Sequence, residues 1–488
     1  QTPGWTWVGR RRVMRQLSGG SSLYRMMSRS LKVLAVWVGL GSAVGWAQDV
    51  TISAEQSYEK GLERLRAKDT KNATLFLQAC VNGAGEGTEL GSDCLWELGW
   101  ARWIDGDWAA VVEHWEASRP GRPDRADLGR FLAQAQDNLA LQQRIEGTRE
   151  QVDESFRTEV PEGTTVRFRA VGDLMIGTDF PDGYLPADQG AGAFAAVSDW
   201  LRDADLTFGN LEGPLCDGGK TTKCKPDSPV GSCYAFRTPT SYVSHFVDAG
   251  FDVLSTANNH AEDFGVECRE QTEQVLDAQG VAHTGRPGDI ASVTANGLRI
   301  AFIGFHTSRN SHYVNDHEGA VAVVQAMDRT HDLVVVSFHG GAEGRKALHV
   351  PRGSETYYGE DRGNLRVFAR TVVDAGADMV LGHGPHVLRG MEIYEDRLIA
   401  YSLGNFATYG RFNLSGPLGI GAVLEVVVDA EGRFVTGQLF PTRQVGDGIA
   451  EPDETGEALG LVRMLSTEDF PETGVRVARD GTLARPGS

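Results

Sequence analysis

Twelve histidines occur in the sequence, and four of them sit in polar runs that directly follow apolar, β-branched segments. His260 and Asp263 come after Phe251–Ser255, together with Asn258 and Asn259. His339 ends the run Leu333–Phe338, with Glu343 four residues on, and His383 and His386 follow Met379–Leu381. Three more runs end the same way: Val166–Val171 at Asp173, Leu206–Phe208 at Asn210 and Glu212, and Ile399–Ser402 near Asn405. Carboxylate, amide and imidazole donors together suit one or two borderline divalent ions such as Mn, Fe or Zn. A single strand-end histidine is commonly a structural hydrogen-bonder; several at one rim point to a metal or catalytic centre. His114, His245, His283, His312, His317, His331 and His349 lack such partners and read as structural, and His306 is a minor candidate because it also ends a strand.

Something must bring these strand ends to one rim. The segments Thr165–Val171, Phe251–Ser255, Arg299–Phe305, Leu333–Phe338, Met379–Leu381 and Arg397–Ser402 alternate with helical stretches such as Ser241–Ala249, Arg269–Ala278 and Leu365–Ala375. That alternation predicts an α/β domain, in which ligands bind beyond the carboxyl ends of the strands. Gly419–Val428 and Arg433–Leu439 read as a closing hairpin, and the acidic, Gly/Pro-rich segment 446–488 as a tail, poorly ordered beyond Phe470. Residues 50–145 carry apolar residues at three- and four-residue spacing and are predicted helical, with helices at Ser57–Ala67, Asp93–Trp103, Trp108–Ala117 and Arg125–Leu141. Leu98-Gly99, Gly106-Asp107-Trp108, Trp115 and Pro120 loosely match a tetratricopeptide helix–turn–helix repeat. Such a module holds partners; the alternative is a plain helical cap. Residues 146–164 are polar and read as a linker.

With 47 Lys and Arg against 66 Asp and Glu, the 488-residue chain has a formal charge of −19, which argues against a nucleic-acid binder. The chain opens on Gln, and Met26 or Met27 reads as a start codon. Arg29, Lys32, the apolar stretch Val33–Ala47 and the following Gln48-Asp49 have the form of a secretory signal peptide cleaved after Ala47, so that 1–47 comprise a signal with an upstream extension. An uncleaved anchor is the alternative, against which the shortness of the run weighs; no stable membrane span is expected after cleavage. Residues 1–47 hold seven Arg or Lys and no acid, so the remaining chain stands at −26. Export to the periplasm or cell surface makes the six cysteines disulfide candidates. Cys80 and Cys94 are natural partners; Cys216, Cys224, Cys233 and Cys268 allow three pairings. The absence of any C-x2-C pair argues against a zinc–thiolate site.

Five motifs in order also resemble one family. Gly172-Asp173-Leu174-Met175-Ile176-Gly177, Asn210-Leu211-Glu212-Gly213-Pro214, Ala257-Asn258-Asn259-His260-Ala261-Glu262-Asp263-Phe264-Gly265, Gly382-His383-Gly384-Pro385-His386-Val387 and Tyr401-Ser402-Leu403-Gly404-Asn405-Phe406 are similar to those of the CapA-type poly-γ-glutamate capsule synthesis family, over about residues 165–445. The resemblance implies a calcineurin-like metallophosphoesterase domain, a four-layer α/β/β/α sandwich with metal at the sheet rim. It implies Asp173, Glu212, Asn259, His339, His383 and His386 as metal ligands, His260 as the catalytic histidine, and Asp263 as the group that orients it. Asn210, Asn258, Glu343 and Asn405 would complete the pocket. Two departures stand out. Met175 holds the place of a histidine in the broader phosphoesterase pattern, which would weaken or remove one metal. Gly340 stands where the family usually carries Trp, which is expected to open the pocket. The implied role is a metal-dependent hydrolase-like protein acting on a phosphoester or an anionic cell-surface polymer, with the helical region docking capsule synthase subunits. Two alternatives remain: a non-catalytic polymer-binding or export scaffold, and an amide hydrolase or transferase on γ-linked polyglutamate. An acidic protein that handles an anion needs local positive charge, from metal or from Arg345, Arg352 or Arg362; the bland reading makes those arginines solvated loop residues.

Overall fold

The computed structural model describes residues 52–151, 157–221, 223–224 and 233–487; the signal segment and both candidate start codons lie outside them. Five helices come first: α1 (Ala54–Arg66), α2 (Thr70–Ala84), α3 (Glu89–Asp105), α4 (Trp108–Ser118) and α5 (Leu128–Gln151). Ser53, Asp69, Thr88 and Asp107 each accept a backbone N–H at the start of α1 to α4, and a cap of this kind contributes about 1 kcal/mol. The Cys80–Cys94 disulfide joins α2 to α3, the pairing expected, and closing a loop of that length contributes ~3 kcal/mol by restricting the unfolded chain. Trp96, Trp103, Trp108 and Trp115 pack against Leu128 and Leu132 of α5. Gly99 permits this approach: a Cβ there would lie 1.9 Å from the Trp115 indole nitrogen, which donates to the Trp96 carbonyl at 3.0 Å. Trp115 is fully buried, so its truncation to Ala would cost about 3–5 kcal/mol.

The expected linker begins inside a helix. Helix α5 runs past Leu141 to Gln151, because this stretch is rich in helix formers with Gly147 as its one breaker. Beyond it, Arg157 donates to the Asp328 carbonyl and Thr158 Oγ1 to Asp332, which ties the connection to the α/β domain.

That domain has two main sheets. The first is built on β1 (Thr165–Met175), with β2 (Leu206–Leu211), β3 (Val253–Ser255) and β4 (Ala282–Thr284) following in parallel on one side. Helices α6 (Ser198–Arg202), α7 (Val243–Ala249) and α8 (Val266–Gln279) connect these strands and bury Leu201, Phe246 and Leu276 against the sheet's outer face. The second sheet contains β5 (Ile290–Ala295), β6 (Leu298–His306), β7 (His312–Tyr313) and β8 (Leu333–His339), then β11 (Met379–His383), β12 (Met391–Tyr394) and β13 (Arg397–Ala400). Between them in sequence lies the short ribbon β9 (Thr356–Tyr357) and β10 (Glu360–Asp361). Helices α9 (His317–Asp328) and α10 (Leu365–Asp374) cover the outer face of this sheet, joined by Ile145 of α5. The inner faces of the two sheets share one core, in which Phe208 stacks on Phe302 at 5.6 Å. The layers therefore run helix, sheet, sheet, helix.

The chain returns to the first sheet with β14 (Asn405–Thr408), β15 (Ile420–Asp429) and β16 (Phe434–Val445), the last two forming the expected hairpin. The segment 446–488 is not a loose tail. Strand β17 (Ile449–Pro452) pairs with β16, α11 (Glu457–Asp469) sinks Ala458 and Val462 into the inter-sheet core, and β18 (Arg476–Val477) and β19 (Thr482–Ala484) extend the sheet edge. Strands of two or three residues leave no periodic signal, and the Gly and Pro around them mark turns rather than disorder. The remaining disulfides are Cys216–Cys268 and Cys224–Cys233. No helix among the described residues is long and apolar enough to cross a membrane.

Candidate metal centre

Parallel pairing brings the polar residues together. Strands β6, β8 and β11 lie side by side in register, which sets His306, His339 and His383 in one row. On the opposing sheet, Asp173 of β1 pairs with Asn210 of β2 and with Asn405 of β14. The β1 register shifts at this point; such an irregularity re-aims a side chain at the end of a strand. Gly172 allows the close approach of β14: a Cβ there would lie 2.0 Å from the Gly404 carbonyl.

A buried amide chain fixes the first-sheet side. Asn210 Nδ2 donates to Asp173 at 2.9 Å, Asn258 Nδ2 donates to Asn210 at 3.1 Å, and Asn258 Oδ1 accepts the His260 backbone N–H at 3.0 Å. His260 Nδ1 then meets Asp263 at 2.6 Å, which leaves Nε2 facing inward, 3.9 Å from Glu212. Burial lowers the His260 pKa to about 4, with Asp263 opposing and Lys223 adding to the effect, so the imidazole is neutral near pH 7.

Carboxylate and imidazole atoms of Asp173, Glu212 and His339, all buried, lie within 4.8 Å of one another, and such a group could hold a metal ion. His339 Nε2 is 3.4 Å from Glu212, and His383 Nδ1 is 3.3 Å from Asp173. Buried polar atoms without a hydrogen-bond partner are rare. Among the described residues they include both carboxylate oxygens of Glu212, the side-chain Oδ1 of Asn259, and both ring nitrogens of His339 and of His383. Burial pushes the Glu212 carboxyl well above its ordinary pKa and His339 well below. These residues therefore fit a divalent cation, which would replace the missing partners and favour the charged carboxylate.

Asp173 and His386 behave differently. His386, at φ +59°, donates through Nδ1 to Asp173 at 2.9 Å, with Asn405 Oδ1 at 3.1 Å as a second acceptor. Its Nε2 faces Glu212 at 3.7 Å and Glu343 at 3.8 Å. Burial opposes the imidazolium, but Glu212, Asp173 and Glu343 outweigh it and push His386 to about 10. Burial would likewise raise Asp173, but His383 and His386 beside it hold its carboxyl well below the usual range.

Some neighbours were not predicted. Lys223 donates to Asp263 at 2.6 Å and to the Asn259 carbonyl at 3.0 Å. The Phe236 N–H donates to the other Asp263 oxygen at 2.7 Å, and its ring lies 4.3 Å from His260. Phe412 packs at 5.5 Å from His386. No motif marks these residues, since they meet the site only through long-range loop contacts. Arg362 is corrected from a solvated loop residue: it is buried and pairs with Glu343 at 2.9 Å. Gly340 does not open the pocket, because a Cβ there would meet the Arg362 carbonyl at 3.1 Å and Leu365 at 3.2 Å. A cavity of about 520 Å³ reaches His260, Asn259, His386 and Asn405. A larger one of about 960 Å³ lies at the opposite strand ends, beside Asp332 and Asp378, and touches none of the site residues. His306, with Ser308 at its Nδ1, stands one strand away from His339.

Two packed sheets that raise buried carboxylates, amides and imidazoles from parallel strand ends define an α/β protein with a candidate metal centre. Residues 167–409 match the family described as Bacterial capsule synthesis protein PGA_cap, and the chain belongs to that family through this domain. PGA biosynthesis protein CapA of Bacillus subtilis (strain 168) is 30% identical over 254 residues, 48% of this chain and 61% of that protein. Capsule biosynthesis protein CapA of Bacillus anthracis is 28% identical over 251 residues, 48% of this chain and 58% of that one. The chain thus spans about three fifths of the length of these relatives. A 5'-nucleotidase precursor from Thermus thermophilus aligns over 63% of this chain and 60% of its own at 14% identity, with a TM-score of 0.33.

Proposed function

We propose that this is an exported, metal-dependent hydrolase-like protein of capsule or cell-surface polymer production, with a calcineurin-like α/β/β/α domain. The observation that carries the reading is the overlap between the buried atoms without partners and the ligand set implied by the motifs: Glu212, Asn259, His339 and His383. Glu212 and His339, with Asp173 within 4.8 Å, would hold one divalent ion, Mn, Fe or Zn, and Asn259, His383 and His386 would complete the ligand set. When bound, such an ion supplies positive charge for phosphoryl or carbonyl oxygens and acidifies a water. The chain's own residues do the rest. His260, neutral and oriented by Asp263, presents Nε2 to accept or return a proton at the reacting group. Asn210 and Asn258 hold the rim rigid, and Glu343 keeps Arg362 and His386 in place. Three disulfides suit an oxidising compartment and support export. The tetratricopeptide-like helices would dock a capsule synthase.

A second reading, an export or polymer-binding scaffold without catalysis, is favoured by Met175 in place of a histidine and by the mutual pairing of Asp173 and His386. Hydrolysis or transfer at a γ-glutamyl amide is the third. Metal analysis of purified protein comes first, followed by assays on phosphomonoesters, phosphodiesters and poly-γ-glutamate. Metal-dependent turnover lost in His260→Ala supports the enzyme, and the polymer product separates amide from phosphoester cleavage. Equal inactivity of wild type and His260→Ala with every divalent ion would leave the scaffold.

A further inference from the structure

Three lysine or arginine side chains line the 520 Å³ cavity beside the His386 imidazolium: Lys223, Arg362 and Arg411. Two are neutralised within the protein. Lys223 pairs with Asp263 at 2.6 Å, and Arg362 with Glu343 at 2.9 Å and Glu360 at 3.6 Å. Arg411 makes no salt bridge among the described residues. It stacks over two rings, Tyr184 at 5.0 Å and Tyr234 at 5.1 Å, and donates to the Cys233 carbonyl at 3.4 Å. Aromatic contacts of this kind hold a guanidinium while leaving N–H edges free for in-plane acceptors, the geometry that grips a carboxylate or phosphate with two parallel hydrogen bonds. The next residue, Phe412, packs on Phe236 at 5.3 Å and on His386 at 5.5 Å, so an apolar wall links Arg411 to the candidate metal centre. An arginine without a counter-charge among the described residues, in the pocket of a −19 chain, is the local positive charge that an anionic substrate needs.

We propose that Arg411 forms an oxyanion subsite. It would bind a carboxylate or phosphate that the substrate carries beyond the group at the metal centre, while the intervening apolar spacer lies on Phe236 and Phe412. The proposal deepens the reading of this cavity as a substrate site and rests on it.

The test is calorimetric titration of the full chain, with Mn²⁺ present and metal content measured on the same samples. The probes are pentaglutamate, pentaglutamine and tripolyphosphate, and the proteins are wild type, Arg411→Met, Arg411→Gln and Arg411→Lys. Wild type is expected to bind at least one anionic probe about tenfold or more tighter than pentaglutamine. Both neutral variants lose that preference and keep their affinity for pentaglutamine; Arg411→Lys recovers only part, because it lacks the planar fork. Loss for pentaglutamate assigns a carboxylate, and loss for tripolyphosphate assigns a phosphate. Wild-type affinity for both anions in the correctly folded neutral variants, or no anionic preference in wild type, overturns the subsite. No metal bound to wild type at any tested concentration, with the Arg411-dependent anionic preference intact, would overturn the metal-centre reading and leave the subsite standing.

Discussion

The two halves of the candidate centre meet at one rim yet are satisfied in opposite ways. Around Asp173, the protein supplies its own partners: Asn210, His386 and, through His386, Asn405. Around Glu212, the carboxylate oxygens and the ring nitrogens of His339 have no hydrogen-bond partner among the described residues. The first half is therefore stable as it stands, and the second is incomplete without a ligand. A metal site of the second kind trades stability of the empty fold for affinity, while one of the first kind holds its geometry before any ion arrives.

The largest expected effect tests the self-satisfied half. Asp173→Ala leaves the buried His386 without its closest acceptor, and removing one partner of a buried charge pair costs about 3–5 kcal/mol. Chemical denaturation of the metal-free protein measures it. Glu212→Gln should cost less, because the Glu212 oxygens accept no hydrogen bond among the described residues and only its charge acts on His386. If the two variants lose equal stability, the halves do not differ. The second effect is metal binding itself. At a free ion concentration of 100 times the dissociation constant, the wild-type fold should gain about 2.7 kcal/mol. That gain should be absent in Glu212→Gln and in His339→Ala. A stoichiometry of one ion per chain sharpens the comparison, and two ions of equal affinity break it.

The third expectation concerns pH. Burial raises the Glu212 pKa in the metal-free fold above its ordinary value near 4.5, so the folded state holds a proton that the unfolded chain releases. This group's contribution is fully present below pH 4.5 and is lost as pH rises towards the raised value. Metal reverses the sign, since binding expels that proton. Affinity should therefore climb with pH across the same window, and titration in buffers of different ionisation enthalpy should count about one proton released. Glu212→Gln should release none.

How far the sequence foretold this arrangement depended on where each signal lay. The runs ending at Asp173, Glu212, His339 and His383 were legible because strand periodicity stops at a chemically distinctive residue, and parallel strands carry such ends to one edge. The asymmetry between the halves was not legible. It turns on His386 reaching Asp173 across 213 residues, through a left-handed backbone at a non-glycine position. Lys223, Phe236 and Arg411 escaped for a related reason: each sits in a loop without periodicity and acts by tertiary contact. Arg362 was misread because an arginine in a polar loop resembles a solvated one until Glu343, 19 residues away, is found beside it. The edge strands after Phe470 were hidden by their shortness.

The smallest expected effect on stability, but an informative one, comes from Lys223→Met. Its side chain is 35% exposed, so solvent screens its pair with the buried Asp263, and losing it should cost less than breaking a fully buried pair. Its charge acts mainly on the His260–Asp263 pair. Burial first, with Lys223 adding to it and Asp263 opposing, lowers the His260 pKa to about 4. Without the lysine, burial and His386 still oppose Asp263, but one of the lowering influences is gone, and the His260 pKa should rise. Ring-proton chemical shifts followed against pH in the metal-free protein measure this, with Lys223→Arg as the control that keeps the charge. A rise in Lys223→Met but not in Lys223→Arg, with the denaturation midpoint nearly unchanged, would make Lys223 a tuning charge on the self-satisfied side of the centre. An unmoved His260 would assign the lysine to packing alone, and the proton chemistry of this rim would then depend on burial and Asp263.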